Sequence, residues 1–253
     1  MGFPPVSSGA WQSVGDATTR AATRRERAPA DAPEAAFAER GPDPAAAATV
    51  GVVLAGGASS RMGRDKAALA VDGATLTARA AQRLLRVCPR VAIADRGRGL
   101  LADLPCLPDG PGEGPAAGIL GAALAWPGHP LLVLACDLPH VPEPLLRELA
   151  RRAPVEGGGD RDADADWVVP RWERGLEPLC ALYRPAALAA LAAAVARGVA
   201  APHRLGEAAG LRVRYLEGEP LRRFGPPADL FLNLNTARDL ERWLGGRGTA
   251  DAP

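Results

Sequence analysis

The apolar positions of this chain show no period before residue 50. Met1–Thr49 is rich in Ala, Pro, Arg, Glu and Asp and carries neither a helical nor an alternating stripe. Such a segment buries too little apolar surface to offset its ordering entropy, so residues 1–49 are expected to form a disordered extension. From Val50 the pattern changes. Val50–Leu54 is a short β-branched and apolar run that ends at glycines, as a buried strand does. Thr75–Val87 has helical spacing, and Val91–Ala94 reads as a second strand. Ala116–Trp126 is helical and is stopped by Pro127 and Gly128. Leu131–Cys136 is a continuous apolar run, typical of a strand covered on both faces. Pro144–Arg152 and the Ala-rich Pro185–Arg197 read as helices, each with Pro in its first turn. Trp167–Val169, Leu179–Tyr183, Arg212–Leu216 and Phe231–Leu234 are strand candidates, and Thr236–Leu244 is a closing helix. Glu156–Asp166 is a polar, Gly-rich loop.

Strands that alternate with helices require crossover connections. The expected fold class is therefore α/β, with a mostly parallel sheet, in one domain over residues 50–244, and a flexible tail at 245–253. In such sheets ligands bind beyond the carboxyl ends of the strands. Chemistry is therefore expected in the loop that leaves each strand.

Composition sharpens that search. The chain has 253 residues and a net charge of +1, which argues against a nucleic-acid binder that relies on a basic face. No apolar run approaches the roughly 18–20 residues of a membrane span, and no secretory leader pattern opens the chain. The four Cys have no CxxC spacing and read as reduced, buried thiols of a cytoplasmic protein. His129, His140 and His203 lie in or near turns and receive no role. Of 30 basic residues one alone is Lys, Lys66, and the chain has two Asn, Asn233 and Asn235. Against a strong Ala and Arg bias these residues mark places where substitution is poorly tolerated.

Lys66 stands at the end of Leu54-Ala55-Gly56-Gly57-Ala58-Ser59-Ser60-Arg61-Met62-Gly63-Arg64-Asp65-Lys66, which leaves the first strand. Paired glycines let the backbone turn tightly and approach a ligand. Successive N–H groups of such a turn form an anion nest, to which Ser59, Ser60, Arg61 and Lys66 add donors and charge. A polyphosphate is the ligand this implies, yet the string matches neither a Walker A loop nor GxGxxG. An ammonium is a compact point charge where a guanidinium is a wide planar fork, so a cramped phosphate site would resist Lys→Arg. The alternative is an ordinary solvated Lys. Asp137 ends the Leu131–Cys136 strand, where a carboxylate can hold Mg²⁺ together with phosphate oxygens, or simply cap the next turn.

The string resembles the LAGGxSxRMGxDK signature of the molybdenum cofactor guanylyltransferases and their nucleotidyltransferase relatives, matching at Leu54, Ala55, Gly56, Gly57, Ser59, Arg61, Met62, Gly63, Asp65 and Lys66. Cys136-Asp137-Leu138-Pro139 resembles the family's metal motif. Gly114–Leu120 resembles its GPLAGI segment. Glu177–Tyr183 resembles its ePLcAlY strand, and Phe231–Leu240 its FxNxNTPEDL, with Ala237 in place of Pro. The likeness runs from about Val50 to Trp243. It implies a Rossmann-like three-layer sandwich of the nucleotide-diphospho-sugar transferase type. It implies nucleotide binding by Leu54, Ala55, Gly56, Gly57, Lys66, Asp109 and Asp137, catalysis by Lys66 and Arg61, metal binding by Asp137, and acceptor binding by Asn233 and Asn235. Mg²⁺ is the implied cofactor, and GTP and molybdopterin the implied substrates, in the cytoplasm, with transient contact to other molybdenum cofactor proteins and none to nucleic acid or membrane. Family members carry a base-reading Asn after the second strand. Val91–Arg96 has none, and Asp95 is the candidate acceptor for a guanine edge. Arg171 and Arg174 could meet the acceptor. Cytidylyl or other nucleotidyl transfer, and a non-catalytic nucleotide-binding module, remain alternative readings.

Overall fold

In the computed structural model the described residues are 48–56, 70–71, 73–151, 165–208, 210–234 and 239. The expected extension apart from its last two residues, the tail, the Glu156–Asp166 loop apart from its last two residues, and the closing helix apart from Asp239 lie outside them.

Strand β1 (Val50–Leu54) is buried along its whole length and pairs in parallel with β4 (Arg90–Ala94) on one side and β6 (Leu131–Ala135) on the other. The short β5 (Cys106–Leu107) extends the sheet beyond β4. On the far side of β6 comes β9 (Cys180–Tyr183), which is antiparallel to it, then β7 (Trp167–Trp172), then β10 (Val213–Leu216). Two antiparallel steps restore direction, so β7 again runs parallel to β6. The sheet is mixed but mostly parallel, as the alternating pattern predicts; the reversal at β9 is a tertiary fact that a four-residue apolar run does not encode. Small pieces β2 (Ala70–Val71), β3 (Ala74–Thr75) and β8 (Gly175–Leu176) form hairpin edges that are too short to register as a hydrophobic pattern.

Alternation along β1 builds two cores. Val53 points to one face, where α1 (Leu76–Leu85) contributes Leu76, Ala80 and Leu84 and α3 (Glu143–Arg151) contributes Leu145, Leu146 and Leu149. Val50, Val52 and Leu54 point to the other, onto α2 (Gly114–Ala125) and α4 (Pro185–Ala196). The result is three layers, helices on both faces of one sheet. Thr75 starts α1 by accepting the Ala78 N–H at 3.1 Å.

Register positions the site. Leu54 lies opposite Ala94 on one side and Ala135 on the other, so β1, β4 and β6 end at one level. Ala55, Asp95 and Cys136–Asp137 therefore leave the sheet side by side. The Phe231–Leu234 segment, expected as a strand, forms none: it comes directly after the short helix Pro227–Leu230 and joins the carboxyl end of the sheet by a single backbone bond, Leu234 N–H to the Asp137 carbonyl at 3.0 Å.

Candidate active site

The first side of the cleft is built on β1 and β4. Ala55 donates to the Ala94 carbonyl at 3.0 Å, and its own carbonyl accepts from Arg98 Nη2 at 2.6 Å, so both backbone polar groups of this first loop residue are used. Asp95 is fully buried. Its Oδ1 accepts the N–H groups of Gly97 and Arg98 at 3.0 and 3.2 Å, and its Oδ2 that of Leu100 at 2.9 Å. This corrects the expectation that Asp95 faces a base: three backbone donors consume the carboxylate inside its own loop. The wrap forces Arg96 to φ 65°, a left-handed conformation that costs a residue with a Cβ about 1–2 kcal/mol.

Asp109 is held from below by glycine contacts. A Cβ at Gly121 would lie 2.2 Å from the Pro108 carbonyl oxygen, and one at Gly110 would lie 2.6 Å from Gly121 N. The Pro108–Gly110 backbone therefore rests directly on the α2 backbone, which Gly110 N–H to Ala117 O at 2.8 Å secures. One turn nearer the start of α2, Gly118 leaves Asp109 a neighbour without a side chain; a Cβ there would sit 3.9 Å from Asp109 Oδ1 and 3.1 Å from Leu54 Cδ2. Arg96 Nε approaches Asp109 Oδ2 at 3.1 Å, and a Cβ on Gly56 would touch Arg96 Cγ at 3.5 Å. Leu54, Gly56, Arg96, Asp109 and Gly118 thus share one slot.

The other side is built on β6. Asp137 emerges half-buried at the strand's end, and the Leu234 bond to its carbonyl brings the exposed Asn233 alongside. Burial, with a smaller contribution from the nearby Asp137 charge, pushes the Glu177 carboxyl above the usual range, while Trp172 Nε1 donates to its Oε1 at 2.8 Å. Two carboxylates and an amide are hard oxygen donors, which suits Mg²⁺ bound by one or two carboxylates with the rest of its shell from phosphate and water. Among the described residues no group of three or more His, Cys, Asp or Glu forms an all-protein cage. The positions Gly57, Arg61, Lys66 and Asn235 lie outside the described residues; Leu54, Ala55, Gly56 and Asp109 are brought together on the first side, and Asp137 and Asn233 on the second.

The family model of the MobA-like NTP transferase domain matches residues 51–211. The chain belongs to this family. It is similar to the molybdenum cofactor guanylyltransferase of Rhodobacter capsulatus, with 36% identity over 76% of this chain and 93% of that one. A probable molybdenum cofactor guanylyltransferase of Pelotomaculum thermopropionicum is 34% identical over 75% of this chain and 89% of its own. Among solved structures, the molybdopterin-guanine dinucleotide biosynthesis protein A of Archaeoglobus fulgidus superposes with a TM-score of 0.61, at 26% identity, over 78% of this chain and 99% of that one.

Within this MobA-like NTP transferase, several residues that organise the cleft escape sequence reasoning. Arg83 of α1 is half-buried, and desolvation pushes its guanidinium down to about 10; its Nη1 donates to the carbonyls of Leu138, Pro139 and Val141 at 3.2, 3.0 and 2.8 Å. It fixes from behind the turn that carries Asp137. Arg96 and Arg98 do the same for the first side. Nothing distinguishes these three among 29 Arg except the alternation Arg96-Gly97-Arg98-Gly99, which marks a turn. Arg171 does not stand open for an acceptor: it forms a two-bond pair with Glu217 and lies 4.0 Å over the Tyr215 ring. With Trp172, Glu173, Glu217 and Arg222 it lines a cleft of about 630 Å³ at the end of β7. Cys88 and Cys180 are buried, and burial pushes the Cys88 thiol up to about 12, so neither is a nucleophile at neutral pH.

Proposed function

We propose that this chain transfers GMP from GTP to the terminal phosphate of molybdopterin and releases pyrophosphate, as the names of its relatives suggest. The observation that carries the reading is the common level at which β1, β4 and β6 end. It brings the Leu54–Gly56 backbone and Asp137, with Asn233 beside it, to the same end of the sheet, which supports a nucleotide on the first side and an acceptor on the second. An oxygen of the acceptor phosphate attacks the α-phosphorus; the new P–O bond forms as the bond to the β-phosphate breaks. A phosphate monoester is already anionic at neutral pH, so this nucleophile needs no general base. What the protein supplies is alignment and neutralisation of charge on the α-phosphate and the leaving pyrophosphate.

In this reading Gly57, Arg61 and Lys66 cradle the phosphates, with Lys66 as the point charge and Arg61 as the fork. Asp137 holds Mg²⁺ with help from its oxygen neighbours. The ion, when bound, supplies positive charge at the transferring phosphate. Asn233 and Asn235 orient the acceptor. No helix among the described residues is long and apolar enough to cross a membrane; we place the reaction in the cytoplasm, with handover to other molybdenum cofactor proteins. The test is direct. The full chain with GTP, Mg²⁺ and molybdopterin releases pyrophosphate in step with the dinucleotide product, and CTP, ATP and UTP do not substitute. Absence of pyrophosphate under those conditions refutes the reading.

A further inference from the structure

We infer that Arg96 selects the base: its guanidinium donates to O6 of guanine while Asp109 accepts the neighbouring N1–H and N2–H. The inference rests on the GTP reading of the cleft and adds to it a residue that chooses the nucleotide.

The backbone gives the first reason. Within Asp95–Leu100 three positions have left-handed φ: Arg96 at 65°, Gly97 at 71° and Gly99 at 72°. Two are filled by the residue that adopts this conformation freely. The third carries a long side chain, and among the described residues it is the only position with positive φ that is not Gly. Strain of this kind persists where the side chain is put to use.

The side chain's surroundings show what the use is. It folds back over Gly56 and sets Nε 3.1 Å from Asp109 Oδ2, with Arg96 about half exposed and Asp109 30% exposed toward the cleft. The contact runs through Nε, and the guanidinium carries two further donor nitrogens. Beside the pair, Leu54, Ala94 and Gly118 are buried and closely packed; a Cβ on Gly118 would stand 3.1 Å from Leu54 Cδ2 and 3.4 Å from Ala94 Cβ, so a larger residue there would press on the packing next to Asp109. It is the partly exposed Arg96–Asp109 pair that the edge of a base can reach. A guanidinium next to a carboxylate presents donors beside acceptors. Guanine presents the complement, the O6 acceptor beside the N1–H and N2–H donors. Adenine presents a donor to the guanidinium and an acceptor to the carboxylate, so both contacts are repulsive. No other residue at the end of β4 competes for this role, since β4 carries no Asn and Asp95 is fully engaged by its own loop.

The experiment compares the affinities of the full chain for GTP and for 6-thioguanosine triphosphate, which keeps N1–H and N2–H but offers a weakly accepting sulfur in place of O6, in Mg²⁺. A well-placed donor to O6 is worth about tenfold in such a comparison. The native chain is expected to prefer GTP by that factor. R96G and R96M are expected to bring the two affinities within about threefold of each other, while R96G, relieved of its left-handed side chain, melts no lower than the native protein. A purely structural role would instead lower the melting temperature of R96G and leave the preference intact. Preservation of the preference in both variants, or an equal loss for both nucleotides, overturns the assignment. A native chain that binds none of the four common NTPs overturns the GTP reading itself, an outcome separate from either.

Discussion

The two sides of the cleft are built on opposite electrostatic principles. On the β1–β4 side Asp95 and Asp109 each meet a local counterpart: Asp95 is satisfied by three N–H groups, and Asp109 lies against Arg96. On the β6 side, burial and then the nearby Asp137 charge raise the Glu177 carboxyl, Arg174 offsets part of that rise, and the half-buried Arg83 donates to carbonyls behind the turn. A side balanced in advance suits an uncharged base that must be read by its edge. A side that gathers negative charge suits a cation that arrives with phosphates. The proposed reaction thus separates recognition from chemistry along one sheet edge.

Substitutions on the two sides should separate accordingly. The largest effect is expected from D137A, which removes the carboxylate proposed to hold Mg²⁺: pyrophosphate release should fall by about 10³-fold with the melting temperature unchanged, and an effect below tenfold would dissolve the distinction between the sides. K66R should cost about 10²-fold in turnover with the fold intact, since a planar fork replaces a point charge. R83M should bridge the two categories. It leaves three carbonyls without their donor, which should lower stability by about 2–4 kcal/mol in urea unfolding, and it should loosen Asp137, which raises the Mg²⁺ concentration needed for half-maximal rate. G121A acts on the other side. Its methyl would meet the Pro108 carbonyl at 2.2 Å, so the Asp109 loop must move; about 1–3 kcal/mol of stability should be lost, and KM for GTP should rise more than kcat falls.

The smallest effect belongs to a residue remote from both sides. Asp166 precedes β7 and accepts from Arg212 Nε, Nη2 and N at 3.1, 3.0 and 2.9 Å, which holds its carboxyl below the ordinary value of 3.8. A carboxylate with a depressed folded pKa adds stability that is complete above the unfolded value and is lost as pH falls through the folded one. D166N should therefore cost about 1 kcal/mol at neutral pH, and its melting curve should converge with that of the native chain below about pH 4. Nucleotide preference and Mg²⁺ dependence should not change; a change in either would show that the pair reaches the cleft.

Much of the frame is legible in the chain. The runs at Val50–Leu54, Leu131–Cys136 and Pro185–Arg197 form the elements their periods predict, to within a residue or two at their ends. The positions of Asp109 and Asp137 beyond strand ends are legible because each sits in a short motif that follows an apolar run. Asp95 misleads because an acid beside glycines looks the same whether it faces a ligand or its own backbone N–H groups. Phe231–Leu234 misleads because the alternation of Leu and Asn satisfies a strand pattern with only one backbone bond to pair it.

The sequence by itself determined the layered α/β class, the order of the elements and the motif positions along the sheet edge, because hydrophobic period and turn residues are local properties. The tertiary structure alone decided the reversal of β9, the bond of Leu234 to Asp137, and the separate duties of Arg83, Arg96 and Arg98. A guanidinium carries no mark of its partner in the sequence. For Arg83 the partner is a carbonyl 58 residues away, brought to 2.8 Å by packing.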